Sequence, residues 1–199
     1  FRTKCLTVGS TAGLQAAERG ECDLAGIHLL DTVTGIYNRP FVQEGMELIP
    51  GYRRMQGVVF RRGDERFEGH TAEEAFRTVL EDPNCRMINR NAGSGTRILL
   101  DQLLAGHQPP GYPVQAKTHN AVAAAVAQSR ADWGVAIESV ARSAGLGFLP
   151  LSEEHYDFLV GKGRGDRPAV KAMREVLEDR EVKENLTQMG LQGWYCFKQ

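Results

Sequence analysis

Asn89–Arg97 reads NRNAGSGTR, and it lies between a short strand (Arg86–Asn89) and a leucine-rich run ending at Leu104. A strand that breaks at small turn-forming residues and restarts as a helix is the elementary step of an α/β fold. Glycines let the backbone turn tightly and come close to a ligand. The first amides of the helix lack internal partners and lie at its positive end, so the turn can cradle an anion. Ser94 and Thr96 add hydroxyl donors, and Arg90 and Arg97 add charge. No Gly-Lys-Ser/Thr follows, which excludes a Walker A loop, and the G-x-G-x-x-G spacing of a dinucleotide site fails.

Working outward, the same step recurs. Lys4–Val8 alternates like a strand and ends in Gly9-Ser10. Thr11 can cap a helix running through Glu18, with Leu14 and Ala17 on its buried side and Gly20 closing it. Asp23–Leu29 is a short apolar strand ending near His28. Asp31–Arg39, with Tyr37, is a loop. Glu47–Ile49 and Gln56–Phe60 read as strands. Thr71 and Glu74 form a capping box for a helix to about Leu80, and Asp82-Pro83-Asn84 is a turn. The helix Ser94–Leu104 should bury Leu99, Leu100, Leu103 and Leu104. Gln108–Pro113 is a rigid connector to a strand at Val114–Ala116. His119 precedes a helix at Asn120–Gln128 whose alanines and valines leave no polar face, so it should pack on two sides. Trp133–Ile137 is a strand ending at Glu138, followed by a short helix, Val140–Ala144. Phe148–Pro150 and Tyr156–Val160 are strands, and Pro168–Glu178 and Glu181–Met189 are helices. Strands alternating with helices argue for mainly parallel sheets. Gln56–Arg61 and Tyr156–Gly161 are the two stretches that could cross between lobes.

The 199 residues suffice for one large domain or two small lobes. A net charge of −1 gives no general attraction to nucleic acid or anionic membranes, so any anion site must be local. No apolar run approaches the roughly 20 residues of a membrane span. Cys5, Cys22, Cys85 and Cys196 show neither zinc nor CxxC spacing and read as reduced, mostly buried thiols of a cytoplasmic protein. The sequon at Asn185 reads as chance. His155 and Asp157 could form a general-base pair, but no G-x-S-x-G elbow and no cysteine nucleophile context accompanies them. The expectation is a non-enzyme without cofactor or metal.

The segments Gly9–Asp31 (GSTAGLQAAERGECDLAGIHLLD), Thr34–Asn38 (TGIYN), Ile88–Leu104 (INRNAGSGTRILLDQLL), Thr118–Glu138 (THNAVAAAVAQSRADWGVAIE) and Leu149–Val160 (LPLSEEHYDFLV) carry a resemblance. In order and over nearly the whole chain, they resemble the periplasmic-binding-protein-like domain attached to MoeA-type molybdenum-cofactor biosynthesis proteins and to helix-turn-helix regulators. That domain is related to molybdate- and tungstate-binding proteins. The resemblance implies a type II fold: two α/β lobes, two crossover strands and a ligand cleft between the lobes. The expected division is 1–58 for the first lobe, 59–157 for the second and 158–199 for the return to the first. It also implies a ligand set of Ser10, Thr11, Ser94, Gly95, Thr96 and Arg97, with His28, Tyr37, His119 and Glu138 as neighbours; Arg90 joins them from the residue reading. Family members begin with a further strand and helix before Leu6–Ser10, and a DNA-binding domain would lie in that upstream region.

The resulting expectation is a small-anion sensor or carrier. Its ligand is molybdate, tungstate or a compound of molybdenum-cofactor metabolism, and it acts by cleft closure. Its output could be that of a transcriptional regulator, in the cytoplasm, with a homodimer as one assembly and no direct nucleic-acid contact by this segment. The rivals are a secreted receptor of an oxyanion ABC transporter (periplasmic or extracellular, behind a signal peptide), an accessory enzyme of cofactor synthesis, and an organic-acid effector domain of the LysR type.

Overall fold

A computed structural model describes residues 3–191. Cys196 lies outside the described residues. In chain order the elements are α1 (Ser10–Glu18), β1 (Leu24–Ile27), β2 (Glu47–Phe60), α2 (Ala72–Glu81), β3 (Met87–Arg90), α3 (Gly95–Leu104), β4 (Gln115–Ala116), α4 (His119–Ala127), β5 (Trp133–Ile137), α5 (Glu138–Ser143), β6 (Gly147–Val160), α6 (Pro168–Glu178) and α7 (Arg180–Gln188), with a 3-10 turn at Arg39–Phe41. The strand order is β1-β6-β2-β5-β3-β4. Among the described residues no helix is long and apolar enough to cross a membrane.

The chain divides into two compact units. One is Met55–Glu153, and the other comprises the described residues on either side, up to Arg54 and from Glu154. The changeovers fall four residues before the 58 and 157 read from the sequence. β2 and β6 each contribute to both units, where the sequence suggested two short strands apiece. Pro50 invited that reading, since proline cannot donate to a ladder. Next to it, the Gly51 N–H is taken up by the Asp157 carboxylate at 3.0 Å, so the strand continues.

In the unit Met55–Glu153, β5 pairs antiparallel with β2 and parallel with β3, which pairs parallel with β4. Alternate residues feed opposite faces. Val58, Phe60, Met87, Trp133 and Val135 pack with Phe76 and Val79 of α2 and Leu100 and Leu104 of α3. Val59, Ile88 and Ala136 pack with Val122, Ala123 and Val126 of α4 and Ala141 of α5. Such a sheet is covered on both faces. α4 does pack on two sides. Gly134 makes room for it, since a Cβ there would lie 2.7 Å from Val122 and 2.8 Å from the Ile88 carbonyl.

In the other unit β1 pairs antiparallel with β6, Leu24 opposite Val160 through Ile27 opposite Asp157. Ala25, Ile27 and Leu159 face Ala17 and Leu14 of α1, while Leu24, Phe158 and Val160 face Val170, Met173 and Leu177 of α6. The pairing is therefore mixed and not mainly parallel.

Three other expectations change. Lys4–Val8 forms no strand: Leu6 and Val8 are exposed, and the run has no ladder partner among the described residues. α1 starts two residues earlier than a Thr11 cap would set it, after Gly9 at φ 83°, and no side chain caps it. α3 buries Thr96, Leu100 and Leu104 but leaves Leu103 43% exposed. The capping box at Thr71 and Glu74 is present with both bonds formed.

The buried face of α3 sets a clear contrast. Leu100→Ala should cost about 2–5 kcal/mol of unfolding free energy, as for a filled core site. Leu103→Ala should stay within about 0.5 kcal/mol. Denaturant unfolding of both variants measures this.

Candidate functional site

Each unit has its own donor loop at a helix start: a strand-to-helix turn in Met55–Glu153, and the end of an irregular, exposed run in the other. In Met55–Glu153, β3 is buried along its whole length and ends at Arg90. The chain then turns through Asn91, Ala92 and Gly93, where φ is 78°. Ser94 is the N-cap of α3. Its hydroxyl accepts from the Arg97 amide at 3.2 Å and donates to the Asn91 carbonyl at 3.0 Å. That proton is used within the loop. Gly95 opens the helix. Thr96, one residue on, is fully buried, and its Oγ1 has no hydrogen-bond partner among the described residues.

Arg97 is not a free cation. Its Nε lies 2.7 and 2.8 Å from the two Asp101 carboxylate oxygens. One terminal nitrogen donates to the Tyr112 hydroxyl at 2.6 Å and the other to the Arg90 carbonyl at 3.2 Å. The guanidinium also stands 4.5 Å over the Tyr112 ring, and that hydroxyl donates to Asp101 at 2.9 Å. Burial works to lower the Arg97 pKa, but the bonds to Asp101 and Tyr112 outweigh it and raise it. Arg97 braces the end of β3 against α3 and the connector; the sequence reading gave it the role of added charge.

Arg90 is buried, and its guanidinium meets the His119 ring nitrogens at 3.1 and 3.2 Å and the Lys117 carbonyl at 3.3 Å. A guanidinium only donates, so the facing His119 nitrogen accepts. His119 is the first residue of α4, whose cap is Thr118. These contacts bring Arg90 and His119 together. Glu138 opens α5 directly after β5 and lies 3.0 Å from Arg142 on an exposed face.

In the other unit Ser10 is buried at the first position of α1, and its hydroxyl accepts from the His28 amide at 3.2 Å, which leaves its own proton to donate. Thr11 is half-buried in the first turn. His28 is the first residue beyond the β1 ladder. Its Nδ1 lies 2.8 Å from Glu154 Oε2, and its ring stacks on Tyr156 at 5.7 Å. Glu154 is fully buried and also pairs with Arg54, which stands 4.7 Å over the Tyr156 ring. Tyr52 stacks on the Tyr156 ring at 5.2 Å, and burial pushes both phenols up. Tyr37 bridges to Leu30 and stacks on His155 at 5.0 Å.

The sequence reading missed Arg54, Glu154 and Asn38. Asn38 is fully buried at φ 57°. It accepts from the Leu29 amide and donates to the His155 carbonyl and the Asp157 carboxylate. The only local signal was polar residues placed where strands β2 and β6 should be buried, and their pairing depends on cross-strand register. Asp157, read as a partner of His155, spends its oxygens on Asn38 and the Gly51 amide.

The chain belongs to the PBP superfamily domain family, whose model matches residues 1–178. It is 32% identical over 192 residues to YvgK of Bacillus subtilis (strain 168), a protein described as uncharacterized; the match takes in 91% of this chain and 59% of that protein. The chain thus spans about three-fifths of that relative. Among solved structures it resembles a phosphate ABC transporter substrate-binding protein with bound phosphate from Clostridium perfringens (TM-score 0.67, 11% identity, 94% of this chain and 86% of that one). It also resembles a reduced form of OxyR from N. meningitidis (0.64, 16%, 94% and 83%) and a tungstate ABC transporter protein from Geobacter sulfurreducens (0.59, 18%, 91% and 83%). These are type II periplasmic-binding-protein-like folds, and the chain is a ligand-binding domain of that kind.

Two of the three described cysteines have thiols raised by burial. Cys85 is pushed up to about 12, and Cys22 is raised, whereas Cys5 is exposed. Thiolates are the reactive form. At pH 8 iodoacetamide should therefore label Cys5 in the native protein and Cys85 only after unfolding, as read by peptide mass mapping.

Proposed function

We propose that this chain is a small-anion receptor domain whose ligand is a tetrahedral oxyanion, with molybdate and tungstate as the first candidates. The observation that carries the reading is Thr96: a fully buried hydroxyl without an acceptor among the described residues, on the first turn of α3. An enclosed unsatisfied polar group costs about 1–3 kcal/mol. An oxyanion on the α3 N-terminus would supply the missing acceptor. Ser10 at the start of α1 is a buried hydroxyl donor of the same kind within its own unit. Amides and hydroxyls replace the water shell of the anion, and fixed charge is secondary, because Arg97 is already committed to Asp101 and Tyr112.

Similarity to phosphate- and tungstate-related proteins supports an oxyanion. A link to molybdenum-cofactor metabolism rests on the sequence resemblance alone. Cleft closure on the ligand is part of the proposal, as are the absence of catalysis and of a cofactor. The similarity to OxyR favours an effector role in a cytoplasmic regulator with a DNA-binding domain in the same protein. A receptor of an oxyanion transporter outside the cytoplasm is the second reading, favoured by the phosphate and tungstate neighbours. The complete protein separates the two: a helix-turn-helix domain or a signal peptide.

Calorimetry and thermal shift with molybdate, tungstate, sulfate, phosphate and small carboxylates test the binding. An oxyanion at about 100 times its dissociation constant should stabilise the fold by about 2.7 kcal/mol. Thr96→Val should weaken that anion by roughly tenfold or more, the value of one hydrogen bond to a charged group. Ser94→Ala should instead cost about 1 kcal/mol of stability through the lost cap. If no oxyanion shifts the melting curve, the reading fails.

A further inference from the structure

The unit that holds Ser10 also contains a buried charge chain that the anion reading leaves unused. Glu154 is fully enclosed, with Oε1 paired to Arg54 and Oε2 2.8 Å from His28 Nδ1. Enclosing a carboxylate is costly unless both oxygens are engaged. Arg54 supplies the countercharge at Oε1, and the imidazole is the group set against Oε2. Nδ1 makes no aligned hydrogen bond among the described residues, and Glu154 Oε2, 2.8 Å away, is the group it faces. A carboxylate only accepts, which places a proton on Nδ1. The ring's remaining polar atom, Nε2, is then the one able to meet a ligand, and it donates to an anion when it too carries a proton, as in the imidazolium. The Tyr156 ring, stacked on His28 and backed by Tyr52, sets the plane. The His28 amide meanwhile holds the Ser10 hydroxyl at the start of α1. One residue thus fixes a donor of the anion loop through its backbone and presents an oriented ring through its side chain.

We infer that Glu154, held by Arg54, is a positioning residue that orients the His28 ring toward the anion bound at the α1 loop. The inference rests on the proposed oxyanion reading. Glu154 does not touch the ligand; it acts through His28, as carboxylates behind ligating histidines do in metal sites.

The test is a double-mutant cycle in anion binding with His28→Asn, Glu154→Gln and the pair, titrated with molybdate, tungstate and phosphate. Each single variant should weaken the bound oxyanion by about tenfold. The pair should be no weaker than the worse single, since Glu154 acts only through the ring. Should Glu154→Gln not fold, Glu154→Asp keeps the charge on Arg54 but withdraws the carboxylate from Nδ1, and the same loss is expected. A readout independent of binding is nitrogen-15 NMR of the imidazole. Wild-type His28 should carry its proton on Nδ1, and Glu154→Gln should shift that resonance. Multiplying losses, wild-type affinity in the Glu154 variants, or an unprotonated Nδ1 overturns the inference while leaving the oxyanion reading intact. Failure of the wild-type protein to bind any of the three anions overturns both.

Discussion

The first turn of a helix has amide hydrogens with no partner inside the helix. That constraint organises both donor loops. In each, glycine at positive φ turns the chain, at Gly9 before α1 and at Gly93 before α3. Each loop then handles its orphan donors differently. Before α3, Ser94 caps the helix and closes its own proton onto Asn91, so the free hydroxyl is displaced to Thr96. Before α1 no side chain caps, and Ser10 is instead pinned by the His28 amide. The polar chemistry left over is a hydroxyl and a set of amides in each unit, which suits an anion that needs donors more than countercharge.

The charged residues near these loops mostly serve the loops themselves. Arg97 ties the Arg90 carbonyl to Asp101 and Tyr112. Glu154 ties Arg54 to His28. Each is a buried or half-buried ion held by several partners, and removing one partner from such a group leaves an uncompensated charge. Charges of this kind hold geometry, and the ligand meets what they hold.

Much of this was legible in the sequence because it is local. Helix starts follow local signals, the Thr71 and Ser94 caps and Pro168 in the first turn, and α2, α3, α6 and the strand β5 come out within a residue or two of their expected ends. The type II fold follows from the order of the elements and the family resemblance. What was not legible depends on pairing across the chain. The continuity of β2 and β6 hides behind Pro50 and Pro150, and Arg54 meets Glu154 only because those two strands lie side by side. The exposure of Leu103 and of Leu6 reflects which neighbours are present, which periodicity alone does not encode. The role of Arg97 likewise turns on Tyr112, fifteen residues away and reached only through the connector before β4. Residue type and spacing suggested a charge for the ligand; the partners make it a brace.

The account stands on the opening amides of α1 and α3 as the anion's contacts. Proton–nitrogen NMR during titration with molybdate or tungstate reads those amides directly. The account predicts saturable shifts largest at Gly95 and Thr96 in one unit and at Ser10 and Thr11 in the other. Saturable shifts confined to other residues, with these four unmoved, would contradict it.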